Sequence, residues 1–280
     1  MYSPARVFGK IILPLSQRGL FIPRFYSLVK MSTPAQWKTE KERIMALPLD
    51  EKRKLYKLPD YINLDKIDPW SKYFVNYRGI SNKKPTGDDI AGFKITIDAA
   101  RNKELAEKVS LYRGDITKLE IDAIVNAANS MLKAGGGVDG AIHRAAGPRL
   151  QEECFTLGGC PTGDAKVSGG YNLPAKYIIH TVGPQDGSAS KLQSCYEKCL
   201  SYQQQYNLKS IAFPCISTGI YGFPNRLAAH IALGTARKFL ESNSGLERII
   251  FCTFLQIDVD IYETLMQLYF PLEDGVTPSL

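Results

Sequence analysis

The feature that most constrains this chain is a run of three glycines, Gly135–Gly137, between a short apolar segment and a segment with helical character. The apolar run Ile121–Val125 predicts a buried strand. Successive residues without side chains leave backbone N–H groups bare where a helix should begin, and the helix dipole adds partial positive charge there. The stretch therefore predicts a site for an anionic group such as a phosphate.

A carboxylate, Asp139, lies two residues beyond these glycines. A loop that only held phosphate would bind it better without an acid, so Asp139 indicates chemistry on a hydroxyl or a water beside the phosphates. The alternative is that Asp139 caps the helix, since aspartate is favoured at helix N-termini. The residues alone leave both interpretations open.

A second glycine loop, Ser217–Gly222, follows the apolar run Ile211–Ile216 and precedes another predicted helix. Ligands of open α/β sheets bind at the carboxyl ends of the strands. Two such loops at that edge could hold the two phosphates of a pyrophosphate. Either loop alone would be an ordinary connection between a strand and a helix.

Strands and helices alternate from residue 108 onward, which predicts a largely parallel sheet with helices on both faces. The predicted strands are 109–112, 121–125, 165–168, 177–182, 211–216 and 248–255, and the predicted helices are 149–157, 192–206, 226–240 and 259–270. Upstream, we expect helices at 35–45 and 49–58 and a loop or linker at 76–104. The aromatic residues of this arm predict that it packs on the main domain; they are Trp37, Tyr56, Tyr61 and Trp70.

The first 31 residues contain arginine and lysine but no acid, and the first acidic residue is Glu40. Such a composition is typical of a mitochondrial presequence, here with cleavage after Tyr26 and a matrix location. An unstructured tail is the alternative, and Met31 could start a shorter cytoplasmic or nuclear form. We therefore predict four regions: a presequence at 1–31, a helical arm and linker at 32–107, the main domain at 108–272 and a tail at 273–280.

Several classes of protein are disfavoured by the composition of the 280 residues. The net charge of +7 fits an anionic ligand or nucleic acid, but the basic residues are spread among acids, which argues against nucleic acid as the primary partner. No apolar run approaches the roughly 20 residues of a membrane helix. The six cysteines form no CxxC pair and the three histidines show no metal-ligand spacing. The match of residues 135–140 to GxGxxG lies too far from its strand for a dinucleotide fingerprint.

The chain resembles the macrodomain family, specifically the MacroD-type mono-ADP-ribosylhydrolases, over about residues 108–272. The motifs that carry the resemblance are Gly114–Thr117, Asn126–Asn129, Gly135–Gly147, Leu173–Pro184 and Pro214–Pro224. Relatives often carry a fourth glycine where this chain has Ala134. The resemblance implies a three-layer α/β/α sandwich with a mixed, largely parallel sheet.

The resemblance also implies a role for individual residues. Asp115 would accept a hydrogen bond from the adenine amino group beside the Ile116 backbone, and Phe254 would stack on the adenine. Asn129 and Asp139 would be the catalytic residues at the distal ribose, where Asp139 or a substrate phosphate activates water. Further substrate contacts are implied for Asn126, Gly136, Gly137 and Val138, and for Ser217, Thr218, Gly219, Ile220, Tyr221 and Gly222, which would wrap the diphosphate.

We also expect roles for the aromatic and imidazole side chains near these motifs. Tyr221 and Phe223 could shield the distal ribose. His143, four residues after Asp139, could support that acid from the same helix face or be a core residue. His180 lies in an apolar strand and is expected to be buried with its hydrogen bonds satisfied.

The implied function is hydrolysis of the ester that links mono-ADP-ribose to acidic side chains, and deacylation of O-acetyl-ADP-ribose. ADP-ribosylated proteins and O-acetyl-ADP-ribose would be the substrates, with no cofactor, no metal and no membrane partner. The alternative is a module that binds ADP-ribose without cleaving its linkage. A more distant alternative is RNA binding through the basic surface.

Overall fold

A six-stranded sheet organises the computed structural model, which describes residues 35–77 and 79–272. Its strand order is β2-β8-β7-β4-β6-β5, with every neighbouring pair parallel except the antiparallel pair β5 and β6. The strands are β2 (Val109–Arg113), β4 (Ala123–Ala127), β5 (Ala165–Gly169), β6 (Tyr177–Thr181), β7 (Ser210–Phe213) and β8 (Arg248–Thr253), and a separate two-stranded sheet pairs β1 (Ile62–Asn63) with β3 (Leu119–Glu120).

Helices cover both faces of the sheet. Val125 and its neighbour Ile124 point to opposite faces, and each lies in a different hydrophobic core. This alternation of buried residues is what a sheet covered on both faces requires, so the predicted α/β/α sandwich is confirmed. The helices are α1 (Gln36–Met45), α2 (Leu49–Arg53), α3 (Trp70–Asn76), α4 (Gly87–Gly92), α5 (Asn102–Glu107), α6 (Gly137–Ala146), α7 (Pro148–Thr156), α8 (Ala189–Gln205), α9 (Asn225–Ser242) and α10 (Gln256–Tyr269).

Two predictions upstream of the main sheet were wrong. The helix expected at 49–58 ends at Arg53, because Arg53 and Tyr56 both turn toward Glu120, and the Arg53 guanidinium donates two hydrogen bonds to that carboxylate. The expected loop at 76–104 contains α4, the start of α5 and two short 3-10 helices. Its helix-forming signal is the Thr86–Asp89 capping box, which overlaps the Pro85–Gly87 stretch that indicated a loop.

The arm before β2 shares its core with the sheet, as its aromatic residues predicted. Trp70 is fully buried, and its indole N–H donates to the carbonyl oxygen of Phe270 at 3.0 Å. Within the described residues, no helix is long and apolar enough to cross a membrane. The predicted presequence at 1–31 and the tail at 273–280 lie outside the described residues.

An ion pair between the buried Asp89 and the half-exposed Arg226 joins α4 to α9. Arg226 of α9 donates to both carboxylate oxygens of Asp89, which also accepts hydrogen bonds from the backbone and hydroxyl of Thr86. Burial alone raises the pKa of Asp89, but the hydrogen bonds from Arg226 and Thr86 outweigh it and hold this pKa well below its ordinary value. Asp89 is therefore ionised and paired in the folded protein.

We expect Asp89→Ala to lower the free energy of unfolding by about 2–4 kcal/mol, because it removes charge-assisted hydrogen bonds and the capping box together. Asp88→Ala is the matched control, since Asp88 lies exposed in the same helical turn. Urea denaturation measures both variants. Equal, small losses in the two would contradict the role assigned to the Asp89–Arg226 pair.

Candidate active site

A cleft opens at the carboxyl ends of the central strands β4 and β7, which are neighbours in the sheet. The two predicted glycine loops form its walls, and its volume is about 210 Å³. The cleft is lined by Ala127, Ala128, Asn129, Gly135, Gly136, Gly137, Val138, Asp139, Gly183, Cys215, Ser217, Gly219, Ile220 and Tyr221. Gly183 also lines the cleft, although no role was predicted for it from the sequence. It lies within the motif Leu173–Pro184, which is the sequence feature that could have identified it.

Asp139 lies in the first turn of α6 and is only 4% exposed. Its Oδ2 accepts a hydrogen bond of 2.6 Å from the Gly135 backbone N–H, and its Oδ1 accepts one of 2.6 Å from Asn126 Nδ2. The N–H group that Asp139 satisfies belongs to the glycine loop, before the helix begins. The carboxylate therefore closes the loop onto α6, which differs from the helix cap considered as the alternative.

A chain of buried polar groups continues from Asp139 into the sheet. Asn126 Nδ2 lies 3.0 Å from Nδ1 of His180, and His180 Nε2 lies 2.8 Å from the hydroxyl of Ser168. Burial, followed by the neighbouring imidazole of His143, lowers the pKa of His180 to about 3. His180 is therefore neutral and hydrogen-bonded, as its apolar strand predicted.

His143 lies one helical turn after Asp139, with Nε2 3.6 Å from Asp139 Oδ1. Burial lowers the pKa of His143, while the charge of Asp139 raises it to a smaller extent. The ligand-type atoms of His143, Cys154 and His180 lie within 4.8 Å of one another, a cluster that the linear spacing did not reveal. His180 Nε2 already contacts the Ser168 hydroxyl at 2.8 Å, and Cys154 Sγ lies 3.8 Å from the same nitrogen, so the three residues form a packed group in the core.

Asn129 lines the cleft, but its amide also shapes the loop. Its Nδ2 donates to the Lys133 carbonyl at 2.6 Å, and its Oδ1 accepts from the Lys133 N–H at 3.2 Å. A Cβ placed on Gly135 would lie 3.6 Å from Asn129 Nδ2 and 3.2 Å from Asp139 Oδ2. The structure thus brings the two predicted catalytic side chains together around Gly135.

The second loop uses two residues in the left-handed region, Ser217 with φ of 65° and Gly222 with φ of 64°. A Cβ on Gly183 would collide with the Ser217 hydroxyl, so the glycine permits this close approach. Across the cleft, a Cβ on Gly136 would lie 3.8 Å from Cδ1 of Ile220, so the two loops nearly meet. Thr218 and Gly222 belong to the loop without lining the cleft.

Phe223 does not shield the cleft, which corrects one expectation. It is buried in the hydrophobic core beneath the loop, because its backbone N–H bonds the Ser217 carbonyl and turns the side chain inward with the start of α9. Tyr221 lines the cleft as predicted. Burial raises the pKa of the cleft residue Cys215 well above its ordinary value, so this thiol is a poor nucleophile.

The predicted adenine residues lie at the ends of the neighbouring strands β2 and β8, outside the lining of the cleft. Phe254 is 74% exposed, which excludes core packing for its ring. Asp115 Oδ1 accepts hydrogen bonds from the backbone and the hydroxyl of Thr117, at 2.9 and 2.6 Å. Ile116 is buried, and its side chain packs in one of the two hydrophobic cores.

A comparison with known proteins adds an independent observation. A protein-family model for the Macro domain matches residues 125–232. The chain is 51% identical to ADP-ribose glycohydrolase MACROD2 of Mus musculus over 85% of this chain and 50% of that protein, and 45% identical to ADP-ribose glycohydrolase MACROD1 of Rattus norvegicus over 87% of this chain and 92% of that protein. It spans about half the length of the MACROD2 relatives.

The fold is also similar to solved structures. The Trypanosoma brucei macrodomain in complex with ADP-ribose is 34% identical, with a TM-score of 0.62 over 83% of this chain and 91% of that one. The macro domain of ganglioside induced differentiation associated protein 2 is 31% identical, with a TM-score of 0.64 over 77% and 100%.

We expect Gly140→Ala to lower the free energy of unfolding by at least about 1 kcal/mol, because the added Cβ would collide with the Gly135 carbonyl oxygen. The clash should outweigh the higher helix propensity of alanine, which by itself would stabilise the helix relative to glycine. Gly219→Ala is the control, since its Cβ would meet open space. Thermal denaturation compares them, and a stabilised Gly140→Ala protein would contradict the packing described for this loop.

Proposed function

Because the chain belongs to the macrodomain family, we propose that it is a hydrolase that removes mono-ADP-ribose from acidic side chains of modified proteins and deacylates O-acetyl-ADP-ribose. The observation that carries the proposal is that Asp139, a buried acid, lines the same cleft as both glycine loops. The names of the MACROD1 and MACROD2 relatives and the ADP-ribose in the trypanosomal structure support it. Binding alone would need the loops but no acid beside them.

In the proposed complex, the strand ends hold the adenine and the two loops hold the diphosphate. Backbone N–H groups at the start of α6 and the helix dipole favour the negative phosphates. Asn126, Gly136, Gly137 and Val138 lie on or beneath one wall of the cleft, and Ser217, Gly219, Ile220 and Tyr221 form the other. This arrangement leaves the distal ribose beside Asn129 and Asp139.

The proposed reaction is the attack of a water molecule on the anomeric carbon of the distal ribose. The bond between that carbon and the ester oxygen breaks, and the carboxylate of the modified side chain leaves with the electron pair. Each oxygen of Asp139 accepts one hydrogen bond from the protein, so lone pairs remain to orient the water and take its proton. A phosphate of the substrate could share that task.

Neutralising Asp139 separates catalysis from binding. Asp139→Ala should lower turnover of a Glu-modified protein by about 10²–10⁴-fold. Its affinity for free ADP-ribose should fall much less than turnover, because Asp139 holds only the Gly135 loop while the proposed contacts of the adenine and of the Ser217–Gly222 loop remain. Asp139→Asn should also lose turnover. Both groups that bond the carboxylate, Asn126 Nδ2 and the Gly135 N–H, are donors, and the amide NH₂ would face one of them. Glu152→Gln, on the next helix, is the control. Tight binding without turnover in the unmutated protein would instead indicate a module that only binds ADP-ribose.

We expect Asp115→Asn to weaken ADP-ribose binding by about 10- to 100-fold, because a donor replaces the acceptor that faces the adenine amino group. The amide oxygen can still bond Thr117, so the turn should persist. Inosine diphosphate ribose presents a carbonyl at that position and should bind the variant better than the unmutated protein. Calorimetry with both ligands checks this reversal. Unchanged affinities would leave Asp115 as a cap of its turn alone.

We also propose that the protein is imported into the mitochondrial matrix, on the basis of the acid-free and arginine-containing residues 1–31. N-terminal sequencing of protein isolated from cells should find the chain removed up to and including Tyr26. Intact Met1 with a purely cytosolic distribution would overturn the import proposal and leave the enzymatic one untouched.

A further inference from the structure

The cleft depends on a side chain that does not line it, the imidazole of His180. Asp139 accepts a hydrogen bond from Asn126, and the same nitrogen, Nδ2, contacts His180 Nδ1. His180 and Asn126 are fully buried, on the paired central strands β6 and β4, where their register places them opposite each other. The contact is thus held by strand pairing as well as by the side chains.

The donor and the acceptor of each hydrogen bond in this network can be assigned by elimination. An amide nitrogen carries two hydrogens and no free lone pair, so Asn126 Nδ2 donates to Asp139 with one hydrogen and to His180 Nδ1 with the other. Nδ1 must then be unprotonated, and the proton of the neutral ring lies on Nε2. That N–H faces the Ser168 hydroxyl at 2.8 Å, and Ser168 in turn donates to the Gly169 carbonyl at 3.3 Å.

The opposite orientation of the Asn126 amide is unfavourable. A flipped amide would place Oδ1 against Asp139 Oδ1, so that two acceptors would face each other in a buried position. It would also require His180 to carry its proton on Nδ1, so that the Ser168 hydroxyl would have to donate to Nε2 and give up its bond to the Gly169 carbonyl. Both ends of the chain therefore select the same orientation.

The surroundings of His180 keep the ring uncharged. Cys154 Sγ lies 3.8 Å from Nε2, and burial raises the pKa of this thiol to about 12. The ring of His143 lies 6.3 Å away between centroids, and burial lowers the pKa of His143 as well. Among the buried acids nearby, Asp139 is the one that His180 reaches through Asn126.

We propose that His180 is a positioning residue for the hydrolytic reaction. As a hydrogen-bond acceptor at Nδ1 it fixes the Asn126 amide so that this amide holds the Asp139 carboxylate against the glycine loop, and Ser168, whose own proton goes to the Gly169 carbonyl, favours the tautomer of His180 that this requires. The role in catalysis rests on the proposed function, while the hydrogen-bond directions do not.

Two substitutions separate the two nitrogens of the ring. In His180→Asn the amide oxygen can occupy the place of Nδ1 and accept from Asn126, whereas in His180→Gln the side-chain amide reaches the place of Nε2 and leaves Asn126 without an acceptor. We expect kcat on a Glu-modified peptide to fall by about 10- to 100-fold in His180→Gln and by only about 3-fold in His180→Asn. KM and affinity for free ADP-ribose should change little in either variant.

An equal loss of kcat in both variants, or full activity in His180→Gln, would overturn the positioning role. Thermal denaturation identifies a variant that fails to fold. Independently of any variant, long-range ¹H–¹⁵N correlation spectra of the unmutated protein report the tautomer of His180. We expect the proton on Nε2, and a proton on Nδ1 would overturn the inference. If the unmutated protein binds ADP-ribose but releases none from the peptide, the proposed function fails, and the spectra still test the hydrogen-bond directions.

Discussion

A carboxylate that is almost fully removed from water needs hydrogen-bond donors, and much of the structure around the cleft supplies them to Asp139. One donor is the Gly135 backbone, which requires the loop to fold back onto α6, and the other is Asn126 at the end of β4. The loop, the helix and the sheet are thereby joined at one side chain. The bare N–H groups of the glycines acquire a fixed direction because Asp139 holds the loop in place.

The central position of β4 explains why the cleft forms where it does. This strand lies between β6 and β7, so the loops that follow β4 and β7 are adjacent, and the residues of β6 support them from the other side. Gly183, just after β6, admits the Ser217 loop. The helical arm lies outside residues 125–232, which match the Macro domain model, yet it packs on the same core. Trp70 of the arm is buried in the hydrophobic core on one face of the sheet.

Local sequence signals predicted the sheet, the two loops and Asp139 beside them, because strand and helix periodicity and glycine runs are properties of neighbouring residues. The other predicted residues of the cleft came from the resemblance to the macrodomain family. Such local signals do not reveal contacts between residues that are far apart in the sequence. The bonds of Arg53 and Tyr56 to Glu120 shortened a predicted helix, and the inward turn of Phe223 removed a predicted cleft residue. The partners of His180 are Ser168 and Asn126, which only the pairing of β5, β6 and β4 brings together.

The antiparallel strand β5 is one of the two edge strands of the six-stranded sheet, and Ser168 lies on it. An edge strand has a partner on one side only, so its backbone opens more readily than that of a central strand. Glu153 ties the end of β5 to α7 by accepting hydrogen bonds from the Gly169 N–H and the Tyr171 hydroxyl. If this strand opens locally on warming, His180 loses the contact with Ser168 that favours its Nε2 tautomer, while the rest of the protein stays folded. Turnover would then decline at temperatures below the cooperative melting transition, and amide exchange at β5 would mark the onset.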